Sequence, residues 1–177
     1  MKILETERLI LREIAENDAE FMLDLLNQPS FIKYIGDRNV RTVEAAREFI
    51  ETRYRKSYAE NGFGLYAVEL KAGAVRNPQL RSPNPLIGIC GFVKRDTLPD
   101  ADIGFAFLPQ FERQGYAFES ASAVLRYGKE KLGLRRVLAI TTPDNESSGR
   151  LLAKLGFAFE RLIESGGETL RLFSVNI

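Results

Sequence analysis

The chain has 177 residues, 45% of them hydrophobic and 28% charged, which predicts one globular domain over residues 1–177. Lys and Arg number 25 against 24 Asp and Glu, a balance that supplies no basic footprint for nucleic acid as the main partner and leaves local basic clusters open. Histidine is absent and Cys90 is the only cysteine, which excludes a histidine-based triad, a zinc centre and an intramolecular disulfide.

The first third of the chain predicts one strand followed by two helices. Residues 8–13 place apolar side chains between charges, as a strand does. Asn17 or Asp18 is suited to cap the first helix, which Pro29 ends. The second helix is predicted over residues 42–61, up to a glycine that favours a C-terminal stop.

The middle of the chain predicts two paired strands and a long connection. The strands span residues 65–70 and 86–94, and the segment 71–85 between them holds three of the seven prolines. It is interpreted as a surface loop, either a flap facing a substrate or an extension of the hairpin. Cys90 lies in the apolar run of the second strand, which favours an inert core thiol over a nucleophile.

Helices and strands alternate in the second half. This predicts a parallel pair at the centre of the sheet, whereas the hairpins predict antiparallel pairs. The expected fold class is α/β (α+β mixed), with a mostly antiparallel sheet of about six to seven strands and helices on both faces. The remaining strands are predicted at residues 101–108, 136–141, 158–162 and 170–175, and the remaining helices at 115–132 and 145–155.

No segment has the layout of a signal peptide, and no apolar run approaches the length of about 20 residues that spans a membrane. A cytoplasmic protein without a membrane partner is therefore expected.

Residues 108–118 join a strand to a strong helix and have the features of an anion site. Gly115 and Ala117 are small, so the backbone can approach a ligand, and the first amides of a helix have no internal partners. These amides and the helix dipole attract phosphate, and Arg113 adds a positive charge. A tight connection without a ligand is the alternative. The glycine fingerprints of ATP and NAD sites are absent.

Three motifs occur in order along the second half of the chain. They are residues 101–107 (ADIGFAF), residues 114–121 (QGYAFESA) and residues 142–157 (TPDNESSGRLLAKLGF). They resemble the fourth strand, the pyrophosphate turn and the Asn-x-x-Ser block of the GNAT superfamily of N-acetyltransferases. Residues 5–12 (ETERLILR) are typical of its RimJ/RimL-like branch, which acetylates protein N-termini or small amines. The resemblance covers essentially the whole chain.

The resemblance implies acetyl transfer from acetyl-CoA to a primary amine by direct attack in a ternary complex, without a metal. In the family, strand amides hold the pantetheine and the thioester oxygen, and the helix start holds the pyrophosphate. The implied acetyl-CoA contacts are Phe105, Phe107, Leu108, Arg113, Gln114, Gly115, Tyr116, Ala117, Phe118 and Asn145. Two residues depart from the family's sequence pattern for this turn. Glu112 occupies the first position of the pattern, and Arg113 occupies the position of the first glycine. Leu151 and Leu152 stand where many relatives carry a catalytic Tyr.

Three side chains are the catalytic candidates that the resemblance implies. Asn145 would contact CoA or substrate, and Ser148 would lie near the sulfur as a proton donor. The alternative is a helix cap followed by an ordinary first-turn serine. Asp102 matches a position where relatives carry a Glu that acts as general base, often through water. Its alternative is a strand residue on the solvent face.

Phe31, Tyr34 and Tyr66 are candidates to line the acceptor cleft, with a place in the core as the alternative. A peptide or protein N-terminal α-amine is the favoured acceptor, ahead of a small amine or antibiotic. The alternative to an enzyme is a binding module that senses acyl-CoA and does not catalyse a reaction. Relatives are monomers or dimers, so both a monomer and a homodimer stay open.

Overall fold

The computed structural model describes residues 1–74 and 84–177, and in these residues eight strands form one sheet. The strands are β1 (Lys2–Glu5), β2 (Leu9–Glu13), β3 (Leu65–Leu70), β4 (Leu86–Val93), β5 (Asp102–Phe107), β6 (Arg136–Thr141), β7 (Ala158–Ser165) and β8 (Glu168–Asn176). Their order across the sheet is β1-β2-β3-β4-β5-β6-β8-β7. The pair β5–β6 is parallel, and the other six neighbouring pairs are antiparallel.

Six α-helices connect these strands in the described part of the chain. They are α1 (Ala19–Leu26), α2 (Pro29–Tyr34), α3 (Val43–Phe49), α4 (Lys56–Asn61), α5 (Tyr116–Glu130) and α6 (Glu146–Lys154). A π-helical segment, Ile50–Arg55, joins α3 to α4, so the helical path is continuous from residue 43 to 61. Within residues 1–74 and 84–177, no helix combines the length and the apolar character needed to cross a membrane.

The mixed, mostly antiparallel sheet confirms the predicted fold class, with β1 as the strand that was not predicted. Two predicted helix boundaries differ. Pro29 was predicted to end the first helix, and in the structure it also begins α2. At this first helical position its missing N–H breaks no helical hydrogen bond. The side chain of Asp18 does not cap α1, since its carboxylate binds Arg12 at 2.7 Å. Residues 75–83 of the predicted loop 71–85 lie outside the described residues.

The core lies on both faces of the central strands. In β4 the six residues from Ile87 to Phe92 are all buried, a pattern that requires cover above and below the sheet. On one face Cys90 hydrogen bonds with Ser120 of α5. Burial raises the pKa of this thiol to about 12, so the core interpretation is confirmed and the thiol is protonated at neutral pH.

Candidate active site

The strands β5 and β6 are neighbours in the sheet but pair at one point. In the described residues their paired residues are Asp102 and Leu138, where the Leu138 amide donates to the carbonyl of Ala101 at 2.9 Å. Beyond this point β5 continues to Phe107 and β6 to Thr141 without further pairing. Residues 103–107 and 139–141 thus border an opening, here called the β5–β6 gap, which closes at Asp102.

Main-chain amides of β5 face the β5–β6 gap. In a strand, the N–H and C=O groups of one residue point to the same neighbouring strand, and those of the next residue point to the opposite side. The Leu108 amide donates to Ile87 of β4 at 2.9 Å, whereas the Ala101 carbonyl faces β6. By this alternation the amides of Phe105 and Phe107 point into the gap. The predicted contact through the Leu108 amide is corrected, because that N–H already has a partner in β4.

The amino end of α5 follows β5 and carries free amides. Its N-cap is Gly115, which has no side chain to cap the helix, and the first internal bond runs from the Glu119 amide to the Gly115 carbonyl at 3.0 Å. The amides of Tyr116, Ala117 and Phe118 therefore precede the helical ladder and are unpaired within it. The helix dipole makes this end attractive to phosphate.

The turn before α5 owes its shape to two left-handed residues. Gly115 has φ of 84° and Arg113 has φ of 58°. The second value explains why the family pattern has a glycine at the position of Arg113, since a non-glycine residue there is strained by about 1 kcal/mol. Arg113 and Gln114 are exposed beside the free amides, and so is Glu112. The departures from the family pattern thus preserve the backbone path of the turn.

Arg8 holds this turn from the edge of the sheet, a role that the sequence analysis missed. Its Nε lies 2.7 Å from the carboxylate of Glu119, and its Nη1 donates to the carbonyl of Gln114 at 3.0 Å. Its guanidinium lies over the ring of Tyr116, 4.4 Å from the centroid. Burial opposes ionisation of Glu119, but hydrogen bonds from Thr6 and Arg8 lower its pKa. An ionised Glu119 therefore fixes Arg8 against the turn.

The turn between β6 and α6 brings Asn145 and Ser148 together. The Oδ1 of Asn145 accepts from the Ser148 amide at 3.1 Å, which confirms the predicted cap. The Ser148 hydroxyl is partly exposed and has no hydrogen-bond partner among residues 1–74 and 84–177. Arg171 of β8, also missed from sequence, donates to the carbonyl of Asn145 at 3.1 Å and to Thr141 at 3.3 Å. Arg171 therefore anchors the turn while Ser148 stays free.

Asp102 lies at the closed end of the β5–β6 gap. Its residue surface is 1% exposed, and Oδ1 lies 2.8 Å from Nε of Arg95. Burial raises the pKa of this carboxyl, while the positive charge and hydrogen bond of Arg95 act in the opposite direction. The alternative of a strand residue on the solvent face is wrong, because the side chain is buried.

Of the three aromatic residues that are candidates to line the acceptor cleft, two lie in the core and one is partly exposed. Phe31 is 5% exposed and Tyr66 1%, so the core interpretation applies to both. Tyr66 stacks on the ring of Tyr58 with 5.7 Å between centroids. Tyr34 is partly exposed at the end of α2, where Lys33 lies 3.4 Å from Asp144 and donates to the Tyr34 hydroxyl at 3.2 Å. Of the three, Tyr34 is therefore the one beside the β6–α6 turn.

The amides that start α5, the left-handed turn before it and the Ser148 hydroxyl form one candidate surface. Comparisons with known proteins show the family of the chain. A family model described as acetyltransferase (GNAT) domain matches residues 8–158. The chain is 36% identical over 162 residues to an uncharacterised N-acetyltransferase of Bacillus subtilis, YoaA, covering 91% of this chain and 85% of that protein.

Two further similarities concern enzymes with named substrates. The chain is 27% identical over 162 residues to the ribosomal protein uS5-alanine N-acetyltransferase of Escherichia coli, covering 89% of this chain and 78% of that one. It superimposes with a TM-score of 0.79, at 16% identity and with 100% and 98% coverage, on RimL, a ribosomal L7/L12 alpha-N-protein acetyltransferase in complex with coenzyme A. The RimJ/RimL-like resemblance is thereby confirmed, and the chain belongs to the GNAT acetyltransferase family.

Proposed function

We propose that this acetyltransferase transfers the acetyl group of acetyl-CoA to the neutral α-amine of a peptide or protein N-terminus. The observation that carries the proposal is the β5–β6 gap, with free amides along one side and Asp102 at its closed end. The names of the uS5-alanine and L7/L12 enzymes support an α-amine as acceptor. The non-catalytic alternative is set aside, because the family and its named relatives are acetyltransferases.

Acetyl-CoA would extend from the amino end of α5 into the β5–β6 gap. The amides of Tyr116, Ala117 and Phe118 would hold the pyrophosphate, with Arg113 and Gln114 at the mouth. Within the gap the amides of Phe105 and Phe107 would bind the pantetheine and the thioester oxygen. Hydrogen bonds to an oxygen that becomes negative during the reaction are worth about 3 kcal/mol each in other enzymes. The acceptor amine would then attack near Asp102.

The proton balance of the reaction favours an α-amine. The nitrogen attacks the thioester carbonyl, the C–N bond forms, the C–S bond breaks, and the departing thiolate takes up a proton. Asp102 would accept the proton that the nitrogen loses, and Ser148 would pass a proton to the thiolate and regain one from solvent. Asn145 lies beside Ser148, and Tyr34 lies near the same turn. An α-amine has a pKa of about 7.7–8.0 and a lysine amine about 10.4, so only the first is substantially neutral near pH 7.5. With no histidine in the chain, Asp102 is the candidate base.

Peptides with a free N-terminus should therefore be acetylated faster than the same peptides blocked at the N-terminus and carrying one lysine. The pKa difference alone gives a factor of about 100 or more in the neutral amine. The measurement is thiol release from acetyl-CoA, with mass spectrometry to locate the acetyl group. Efficient acetylation of the blocked lysine peptide would contradict the α-amine assignment, and a small amine that outperforms both peptides would replace it.

The pH profile of kcat tests Asp102 as the base. A base acts when ionised, so activity falls as the pH falls through its pKa, which burial raises and Arg95 lowers. In Arg95→Gln the carboxylate loses its counter-charge, its pKa rises further, and the acidic limb of the profile should move to higher pH. In Asp102→Asn kcat should fall about tenfold or more, and the acidic limb that remains should follow the ionisation of the acceptor amine and move with the pKa of that amine. An unchanged limb in both variants would assign Asp102 a structural role; circular dichroism checks the fold of each.

A further inference from the structure

The strand β7 lies at one edge of the sheet and exposes two large apolar side chains. Among residues 1–74 and 84–177 its one neighbouring strand is β8, so the outer side of its backbone has N–H and C=O groups without a strand to pair with. Phe159 is 54% exposed and Leu162 57%, and among the described large apolar residues Met1 alone is more exposed. Exposed apolar groups along an unpaired edge favour the binding of a further strand.

A β-bulge brings both apolar side chains to one face of β7. Phe159 lies opposite Phe173 of β8, and Leu162 lies opposite Arg171. Over this span β7 advances three residues and β8 two, which makes Glu160 the extra residue of the bulge. Without the bulge the two apolar side chains would face opposite sides, because side chains alternate along a strand. Both instead share the side of Phe173, here called the Phe173 face, where the ring of Phe159 packs edge-on at 5.8 Å between centroids.

The other face of β7 carries two opposite charges. The carboxylate of Glu160 accepts a hydrogen bond from Ser174 at 2.6 Å and pairs with Arg136, and both partners lie opposite the Phe173 face. The register with β8 directs Arg161 to this same side. The Arg161 side chain is 63% exposed and lies 3.3 Å from Glu160. Adjacent residues at the bulge therefore present an acid and a base on one side.

A second copy of β7, antiparallel to the first, matches both faces in one register. When Glu160 of one chain lies opposite Arg161 of the other, Phe159 falls opposite Leu162, and a two-fold axis repeats each pair. Paired residues of neighbouring strands must face the same side, and with the bulge they do so in this register. Registers centred on Glu160 or on Arg161 would instead oppose two like charges, which is unfavourable.

We propose that the chain forms a homodimer in which the two β7 strands pair antiparallel about a two-fold axis between Glu160 and Arg161. The apolar pair stabilises the Phe173 face of the interface, and the ion pair joins the protomers on the other face. A strand of another sequence would meet the charges and the bulge without complementary groups, and these are features by which sheet edges avoid unspecific pairing. The inference is independent of the proposed acetyl transfer.

The interface would border the candidate active site. Leu162 lies opposite Arg171, whose guanidinium lies 5.4 Å from the centre of the Phe173 ring and donates to the carbonyl of Asn145 at 3.1 Å. In the dimer, Phe159 of the second protomer would cover Leu162 on this same face. The dimer would thus shield from solvent the side chain that anchors the β6–α6 turn.

Sedimentation equilibrium tests the dimer. At about 10 μM the parent chain should show twice the 20.0 kDa of one chain. Leu162→Gln removes an apolar contact that the two-fold axis repeats, so the dissociation constant of the dimer should rise about 100-fold or more. The matched control is Ile35→Gln at the end of α2, where the native side chain is 42% exposed and lies outside β7. It should leave the constant unchanged, and circular dichroism checks the fold of both variants.

Two charge variants test the register. Arg161→Glu would oppose carboxylates at the centre of the interface, and Glu160→Arg would oppose guanidinium groups, so each alone should weaken the dimer about tenfold or more. Mixed in equal amounts, the two variants restore both ion pairs and should form a heterodimer. Glu160→Arg also loses the bond from Ser174, so thermal unfolding checks its stability. If it does not fold, Arg161→Glu should still weaken the dimer more than Arg161→Gln, because only the former opposes like charges.

Three results would overturn the proposal. The first is a parent chain that stays monomeric at about 100 μM, a concentration at which a specific dimer of ordinary affinity is formed. The second is a dimer that Leu162→Gln weakens no more than Ile35→Gln does, which would place the interface on another surface. The third is Arg161→Glu with a dimer as tight as that of the parent, which would exclude the register. Acetyl transfer is measured separately by thiol release, so none of these results contradicts the proposed function.

Discussion

Replacing Gly115 with valine should lower the affinity for acetyl-CoA by about 100-fold or more. Gly115 has φ of 84°, a conformation that a β-branched residue strongly resists. A Cβ at this position would also lie 3.2 Å from Nη2 of Arg8, which supports the turn. The turn must then change its path, and the amides of Tyr116 and Ala117 leave the phosphates. Loss of two charge-assisted hydrogen bonds accounts for a change of this size. Isothermal titration with acetyl-CoA measures it.

Gly133 provides the matched control. It has the same left-handed backbone conformation as Gly115, so valine is strained at both positions, but it lies outside the candidate site. Its φ is 68°, and a Cβ built on it meets no atom within 4 Å. Gly133→Val should therefore lose stability in thermal unfolding to a similar degree while it binds acetyl-CoA as the parent does. Equal affinities in the two variants would place the phosphates elsewhere and leave the turn before α5 as a connection. If Gly115→Val does not fold, Gly115→Ala carries the same comparison with less steric demand.

The elements that sequence predicts well here are those with a local physical signature. The alternation of helices and strands after residue 101 predicts the parallel pair β5–β6, and the small residues near Gly115 predict the amides at the start of α5 that have no partner within the helix. The strand β1 escapes prediction because it is four residues long and lies at the edge of the sheet, where little apolar patterning is required. Local pattern therefore accounts for the framework of the site.

The supports of the site were not predictable, because they join residues far apart in the chain. Arg8 and Glu119 are 111 residues apart, and the contact of Arg171 with Asn145 spans 26. Each arginine has an ordinary strand context in the sequence, and only the folded sheet shows which turn it holds. The burial of Asp102 was also not predictable from sequence. Nothing in the motif around this residue distinguishes a surface carboxylate from a buried one that pairs with Arg95.

The β5–β6 gap illustrates the same limit within a correctly predicted pair of strands. The sequence predicts both strands and their parallel direction, but the pairing ends after Asp102 and Leu138. Because the pairing stops, the amides of Phe105 and Phe107 have no partner in β6, whereas the register with β4 gives the Leu108 amide a partner in Ile87. Neither property follows from residue type, since every non-proline amide in a strand is an equal donor. The chemistry of this site therefore resides in backbone geometry more than in its side chains.

Replacing Ser148 with alanine should lower kcat by about 10- to 100-fold and leave KM for acetyl-CoA nearly unchanged. The Ser148 hydroxyl has no hydrogen-bond partner in the part of the chain that the structure describes, while its amide donates to Asn145. A thiol has a pKa of about 8.5, so the thiolate is a tolerable leaving group and the expected loss is at the low end for general acid catalysis. An effect on kcat alone identifies an interaction made in the transition state.

Ser147→Ala is the matched control for this prediction, because Ser147 is the adjacent residue and is exposed. Both variants keep the Asn145 cap, which uses the backbone amide of residue 148, so neither should unfold the turn. Single-turnover kinetics with a fast peptide acceptor separates the chemical step from product release. A Ser148→Ala enzyme whose chemical step equals that of Ser147→Ala would remove the hydroxyl from the reaction. In that event water in the β5–β6 gap becomes the proton source.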